Sequence, residues 1–396
     1  MKLKFIAFFL SLSFVCFSQQ VKKDFKRQFL EEKIEFFYIE PTPAAAKQII
    51  KEAKELNCME DLLGIFAAFA KYYPKEIVNW MKENEICLEH CPRLIEALYM
   101  GGLQGESIDL AVNANWPAHK IMSLGNKVQS FLTIPLNFVG SVQYMCSYFY
   151  VSGDVRYGKR IIDVLELTPE QMKKNEELDE LKRVAKTVLK ELIFKHDKIY
   201  RLCLEEVKLR KGYSRTVLTE LLDEQYEAQK KAFPHQNGML SGMIITTDDT
   251  SFEEQWENLP VMEGPFFKLV SSVSYPDTPD KNKTIRIFIV FNGYELDEDL
   301  NAFLTYDLEI LDPKGTKVVD FHALPALKRK MPSRLLSQLA DQPTYFAIEC
   351  GETDDGIDSS GIFLINATLK DHVAHKDLKL TAKIELLQPE KKRPFQ

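Results

Sequence analysis

The chain has 396 residues, 45% of them hydrophobic and 28% charged, with a formal net charge of −7. That length is too great for one ordinary core and predicts two or three domains. An acidic chain with no large basic block is a poor candidate for binding nucleic acid, because phosphate neutralisation supplies most of that affinity.

The first residues, MKLKFIAFFLSLSFVCFSQQ, place Lys2 and Lys4 before an uncharged apolar run from Phe5 to Phe17. Cys16 and Ser18 put small residues three and one positions before a cleavage after Ser18. This is the pattern of a secretory signal peptide over 1–18, too short for a comfortable membrane span. An exported protein, periplasmic or secreted, is expected, with membrane association only through an uncleaved leader. Ser13-Phe14-Val15 is a poor lipobox ahead of Cys16.

Cleavage would leave Cys58, Cys87, Cys91, Cys146, Cys203 and Cys350. Their helical, apolar surroundings favour buried free thiols. Export permits disulfides, and the candidate bridge joins Cys58 to Cys87 or Cys91. Cys87-x-x-x-Cys91 with His90 between is a single half-site without a second pair, so no structural zinc is expected.

The body, 19–235, reads as an all-α domain of helical hairpins, repeat-like but without a fixed period. Helices are expected over Ala44–Leu56, stopped by Asn57; over Met59–Tyr72; over Lys75–Asn84, opened by Pro74; and over Arg93–Met100, opened by Pro92 and closed by Gly101-Gly102. Shorter ones follow at Glu106–Asn113 and Pro117–Leu124. Phe131–Tyr150 carries no charge, but Pro135, Asn137, Gly140, Ser141 and Gln143 dilute it below a membrane span, and a central buried helix is expected. Asp154 caps Val155–Leu165. Thr168-Pro169-Glu170 opens another helix. Glu176–Lys211 reads as one long amphipathic helix, in which His196-Asp197 would be a solvated pair. Ser214–Phe233 is the last.

Residues 236–264 change composition and are expected as a linker, with a short strand near Met243–Ile245. From 265 to 388 the pattern is β. Strands are expected at Phe266–Tyr275, Thr284–Phe291, Ala302–Leu311, Lys317–Phe321, Tyr345–Cys350, Gly361–Asp371 and Leu378–Leu386. Leu324–Leu339 reads as a basic, locally helical crossover. About seven short alternating strands suit an antiparallel immunoglobulin-like β-sandwich. Asn292-Gly293 and Asp312-Pro313-Lys314-Gly315 bound its opening pair, expected to be hairpin-like. Residues 389–396 form a polar tail. The fold class expected is therefore α + β in two domains.

The segments IFIVFNGYELDED, LTYDLEILDPKG, YFAIECGETDDG and GIFLINATLKDHVAHKDLKLTAKIEL resemble the terminal immunoglobulin-like domain of uncharacterised exported bacterial proteins. FYVSGDVRYGKRIIDVLE and the helix after it resemble the helical half of those proteins. The resemblance implies export and this two-domain fold. It brings no catalytic residue with it.

No phosphate-binding loop, dinucleotide fingerprint, nucleophile elbow or His-Glu-x-x-His occurs. Asp371-His372-Val373-Ala374-His375 has metal-ligating residue types but reads as a polar hairpin turn. Glu352, Asp354, Asp355 and Asp358 lack the EF-hand spacing for calcium. Lys328-Arg329-Lys330 with Arg334 reads as a basic surface loop. Asn282-Lys283-Thr284 and Asn366-Ala367-Thr368 match glycosylation acceptors. No catalytic, cofactor or metal residue is assigned. The expected function is that of an exported, non-enzymatic interaction or envelope-associated protein with a protein partner. The alternatives are an extracytoplasmic hydrolase with a site near His235 at the domain junction, and a secreted host-directed factor.

Overall fold

The structure, a computed structural model, describes residues 26–82, 93–125, 132–133, 138–168, 170–171, 177–257, 272–274, 283–348 and 361–387. Helices fill the N-terminal part, and two mainly antiparallel sheets fill the C-terminal part. The signal segment and Ser18, Cys87, Cys91 and Cys350, the acidic residues 352–358 and the tail lie outside the described residues. The chain forms two compact units. The first contains the described residues up to Ile193 with Lys198–Thr219; the second contains Phe194–Asp197 with the described residues from Glu220 on.

In the first unit α1 (26–35) leads through a short 3-10 turn to α2 (Pro43–Glu55). Thr42 starts α2, its Oγ1 accepting the Ala45 N–H at 3.1 Å, and Pro43 fills the first turn where no donor is needed. Asn57 turns the chain out with φ +54°. Then come α3 (Leu63–Tyr72), α4 (Pro74–Lys82), α5 (Arg93–Met100), α6 (Gln104–Asn113) and α7 (Ala118–Leu124). In α3 Leu63 and every residue from Ile65 to Ala70 are buried, so it is packed on all sides. A Cβ on Gly101 would lie 2.5 Å from the Ala70 Cβ, so the end of α5 can approach α3 only as glycine.

The uncharged stretch yields α8 (Gly140–Ser152), with Val142, Met145, Tyr148, Phe149 and Val151 buried. Its 13 residues fall short of the ~20 that a span needs, and no described helix is long and apolar enough to cross a membrane. Gly153 at φ +65° closes α8. Asp154 opens α9 (Val155–Val164), its Oδ1 accepting the Arg156 N–H at 3.0 Å. Thr168 and Gln171 form a reciprocal cap: Thr168 N–H donates to Gln171 Oε1 at 2.8 Å, and Gln171 N–H to Thr168 Oγ1 at 3.3 Å.

The long helix expected over Glu176–Lys211 is two helices, α10 (Glu177–Lys195) and α11 (Asp197–Leu209), divided at His196. His196 and Asp197 are fully buried, not a solvated pair. The chain breaks there because the backbone N–H of Asp197 donates to the Pro332 carbonyl at 2.7 Å and the Ser333 hydroxyl donates to the Phe194 carbonyl at 2.6 Å. Both bonds lie inside the second unit. Further along, in the first unit, Arg210 gathers Asp163 (2.6 Å), Glu206 (2.6 Å) and Glu166 (2.7 Å).

After α12 (Gly212–Ala232) the linker region departs from expectation. β1 (His235–Asn237) and β2 (Leu240–Thr247) form a hairpin at and beyond its start, and α13 (Phe252–Glu257) follows. β2 is almost wholly buried because it pairs with β4 (Lys283–Asn292) from Ser241↔Asn292 to Thr247↔Arg286. β7 (Gln338–Leu339) and β8 (Thr344–Ile348) complete this first sheet on the other side of β4. The second sheet runs β3 (Ser272–Ser274), β10 (Lys376–Leu387), β9 (Gly361–Asp371), β5 (Asn301–Leu311), β6 (Lys317–Lys330). All its pairs are antiparallel except β3 with β10.

The expected β4–β5 hairpin is therefore not formed: β4 and β5 belong to different sheets. The segment from Gly293 to Leu300, entered and left at positive φ, carries the chain across. β6 also runs on through the expected crossover to Lys330, with Pro325 accommodated at an irregularity in its pairing with β5. The sheets face each other: Phe346 of β8 lies 5.5 Å from Phe363 of β9, and Gly242 of β2 meets Leu378 of β10. β4 is buried on both faces. Ile285, Ile287, Ile289 and Phe291 form one row; on the other, Phe288 and Val290 pack with Ile245 and Phe252, the last 4.5 Å from Phe288.

Candidate functional site

A cleft of about 960 Å³ opens within the helical unit. Four stretches build its walls: α1 (Arg27, Leu30, Glu31, Ile34, Glu35), the turn before α3 (Cys58, Glu60, Asp61), α5 (Arg93, Glu96, Met100) and α8 (Gln143, Tyr144, Cys146, Ser147, Tyr150). Val188 and Glu191 of α10 complete it. The α3–α8 contact is close because Gly64 lies against Ser147, where a Cβ would come within 2.9 Å of the Ser147 Cβ.

One end is set by Arg27, which donates to Glu31 at 3.1 Å and to Asp61 at 3.0 Å. On α8, Cys146 and Tyr150 are hydrogen-bonded to each other and feel the carboxylates of Glu191 and Glu35. Burial, reinforced by those carboxylates, pushes the Cys146 thiol up to about 12. Burial, then the charge of Cys146, Glu35 and Glu191, holds the Tyr150 phenol well above its ordinary value. Tyr144 is raised chiefly by burial, and so is the thiol of Cys58. The wall's thiols and phenols are thus protonated at neutral pH, which makes them hydrogen-bonding and packing groups and weak nucleophiles.

Of the residues singled out by their pattern in the chain, Cys58 lies in this wall, buried, while Cys87 and Cys91 lie outside the described residues. His235 is in β1, its Nε2 3.2 Å from the Thr381 carbonyl. Residues 372–375 form the β9–β10 turn, and Asp371 Oδ1 accepts the Val373 and Ala374 N–H groups at 3.0 Å. No group of three metal-ligating side chains occurs among the described residues. The basic run is not a loop: Lys328, Arg329 and Lys330 end β6, and Arg329 pairs with Asp341 at 2.6 Å. Arg334 is buried. Asn366 lies on β9, donating to Glu309 at 3.1 Å.

Nothing in the spacing of Glu35, Tyr150 and Glu191 announces them as neighbours. They sit on three helices, and only the uncharged tyrosine- and cysteine-bearing run of α8 marks one wall. No protein-family model and no curated protein matches the chain. Among solved structures, a family 123 glycoside hydrolase from Clostridium perfringens, analysed for glycolipid glycan hydrolysis, is similar at 9% identity and a TM-score of 0.21, over 38% of this chain and 27% of that one. A likeness of that size carries no argument about this chain.

Proposed function

We propose that this is an exported, non-enzymatic interaction protein whose helical unit holds a partner in the cleft between α1, α5, α8 and α10. The observation that carries the reading is the cleft itself. Its volume of about 960 Å³ lies at the upper end of the range for ligand sites, and the Cys146 thiol and Tyr150 phenol in its wall are held protonated. Export rests on the leader pattern of residues 1–18.

On this reading the helical unit is an irregular array of helical hairpins presenting a groove. The C-terminal unit is an immunoglobulin-like sandwich that serves as a positioning or second binding module. Two facing sheets with alternating buried residues support the sandwich assignment, as in β5 and β9.

The test places a photo-crosslinking residue at Gln143, exposed in the cleft wall, and in a second protein at Lys383, exposed on β10. The expected result is a discrete adduct in the exported fraction from position 143 and none from 383. Retention of the protein in the cytoplasm, or identical adducts from both positions, sinks the proposal.

A further inference from the structure

Asn-Gly occurs twice in the chain, at Asn237-Gly238 and at Asn292-Gly293. The pair is prone to deamidation, because a glycine has no side chain to keep its backbone nitrogen away from the preceding carboxamide. By sequence the two sites are equal, and the structure separates them. Asn292 is buried, its Oδ1 accepting from Ser241 at 2.6 Å and from Gln229. The Gly293 N–H is already donated to the Arg334 carbonyl at 2.7 Å.

Asn237 and Gly238 are exposed. Asn237 pairs with Leu240 across a two-residue turn, and Gly238 takes the first central position at φ +69°. Among the described residues nothing accepts the Gly238 N–H. The Asn237 Nδ2 donates to the Asp377 carbonyl at 2.8 Å, at the surface. The Lys376 ammonium lies 3.3 Å from the place a Cβ on Gly238 would occupy. A cation there favours both the nitrogen anion that attacks and the oxyanion that forms on the carboxamide.

We propose that Asn237 is a modification site, converting without an enzyme to aspartate and isoaspartate. The Gly238 backbone nitrogen gives its proton to hydroxide and bonds to Asn237 Cγ. The Cγ–Nδ2 bond breaks, and that nitrogen takes up a proton and leaves as ammonia. Water then opens the succinimide: breaking the new N–Cγ bond gives aspartate, and breaking the original peptide bond gives isoaspartate. One water is consumed and one ammonia released. Either product puts an acceptor where a donor faced the Asp377 carbonyl, and isoaspartate also lengthens the backbone opposite Leu240. β1 is an edge of the first sheet, linked to β10 of the second through Asn237–Asp377 and His235–Thr381. The conversion loosens that edge.

The experiment ages the full native chain at pH 8 in oxygen-18 water and reads label at each asparagine by mass spectrometry after digestion. Position 237 should take up label at least about tenfold faster than position 292, and in urea the two rates should converge. Lys376→Gln should slow labelling at 237 about threefold. In the aged protein, amide hydrogen exchange across residues 235–241 should be at least about tenfold faster than in fresh protein. Equal rates at 237 and 292 in the native chain, or no label at 237 while the urea sample converts, overturn the site. An unchanged rate in Lys376→Gln overturns the part given to the ammonium, and unchanged hydrogen exchange after conversion overturns the loosening of β1.

Discussion

Arg334 reaches Asp197 across 137 positions of sequence, its Nε donating to Oδ1 at 2.5 Å and its Nη2 to Oδ2 at 3.2 Å. A third bond runs from Nη1 to Glu295 at 2.6 Å. Asp197 is fully buried, and removing its partner leaves a charge with no solvent to receive it. Arg334→Ala should cost about 3–5 kcal/mol, read as a lowered Tm and denaturant midpoint. Arg334→Lys should recover only part, since an ammonium cannot donate through the same planar fork. A cost near zero for the alanine variant would show that the pair contributes no stability.

His196, next to that pair, predicts a pH dependence. Burial, with the nearby charge of Lys195, lowers it from 6.5 to about 3, so it is neutral in the folded chain. Unfolding lets it take up a proton at any pH between those values. Stability is therefore fully present above about 6.5 and falls as the pH drops towards about 3, by ~1.4 kcal/mol per pH unit at the steepest. Urea unfolding at pH 7 and pH 5 should show the parent losing about 2 kcal/mol more than His196→Gln over that interval. Parallel losses in the two proteins would mean that His196 is not the group responsible.

The helical part and the strands of the C-terminal part were legible wherever local chemistry determined them. Pro43, Pro74, Asn57, Gly153 and Asp154 mark helix ends by conformations that need no tertiary partner. β9 and β10 show clean alternation because one row is buried while much of the other meets solvent. Three features were hidden because distant contacts decide them. The break at His196 has neither proline nor glycine, and it follows from bonds to residues 332 and 333. β4 and β5 alternate like a hairpin, yet which strand each pairs with depends on β2 and β9, far away in sequence. The cleft is assembled from α1, α5, α8 and α10, and no local spacing relates its residues.

The buried thiols give a chemical test. Cys146 and Cys203 are pushed up to about 12 by burial and by nearby carboxylates, and Cys58 is raised mainly by burial. At pH 8 the folded chain should show little iodoacetamide labelling at these three positions, because the thiolate is scarce and access is closed. In urea all three should label at the rate of ordinary thiols. Mass spectrometry of the digested protein separates the sites. Rapid labelling of native Cys146 would mean that its thiol is open to solvent, contrary to its burial.

Two glycines with similar backbones separate strain from crowding. Gly293 has φ +72° and Gly315 φ +82°, conformations that cost an L-residue roughly 1–2 kcal/mol. Around Gly315 nothing lies within 4 Å of an added Cβ, so Gly315→Ala should cost only that strain. At Gly293 an added Cβ would fall on the carbonyl group of Met239, and the Gly293 N–H donates to the Arg334 carbonyl at 2.7 Å. Neither neighbour can retreat easily, because both are backbone. Displacing Gly293 would also disturb the adjacent Asn292, whose Oδ1 accepts from Ser241 at 2.6 Å and from Gln229. Gly293→Ala should therefore cost at least about 2 kcal/mol more than Gly315→Ala in thermal or urea unfolding. Equal costs would leave backbone strain as the whole effect and remove the Met239 contact from the account of how β4 ends and the chain crosses to β5.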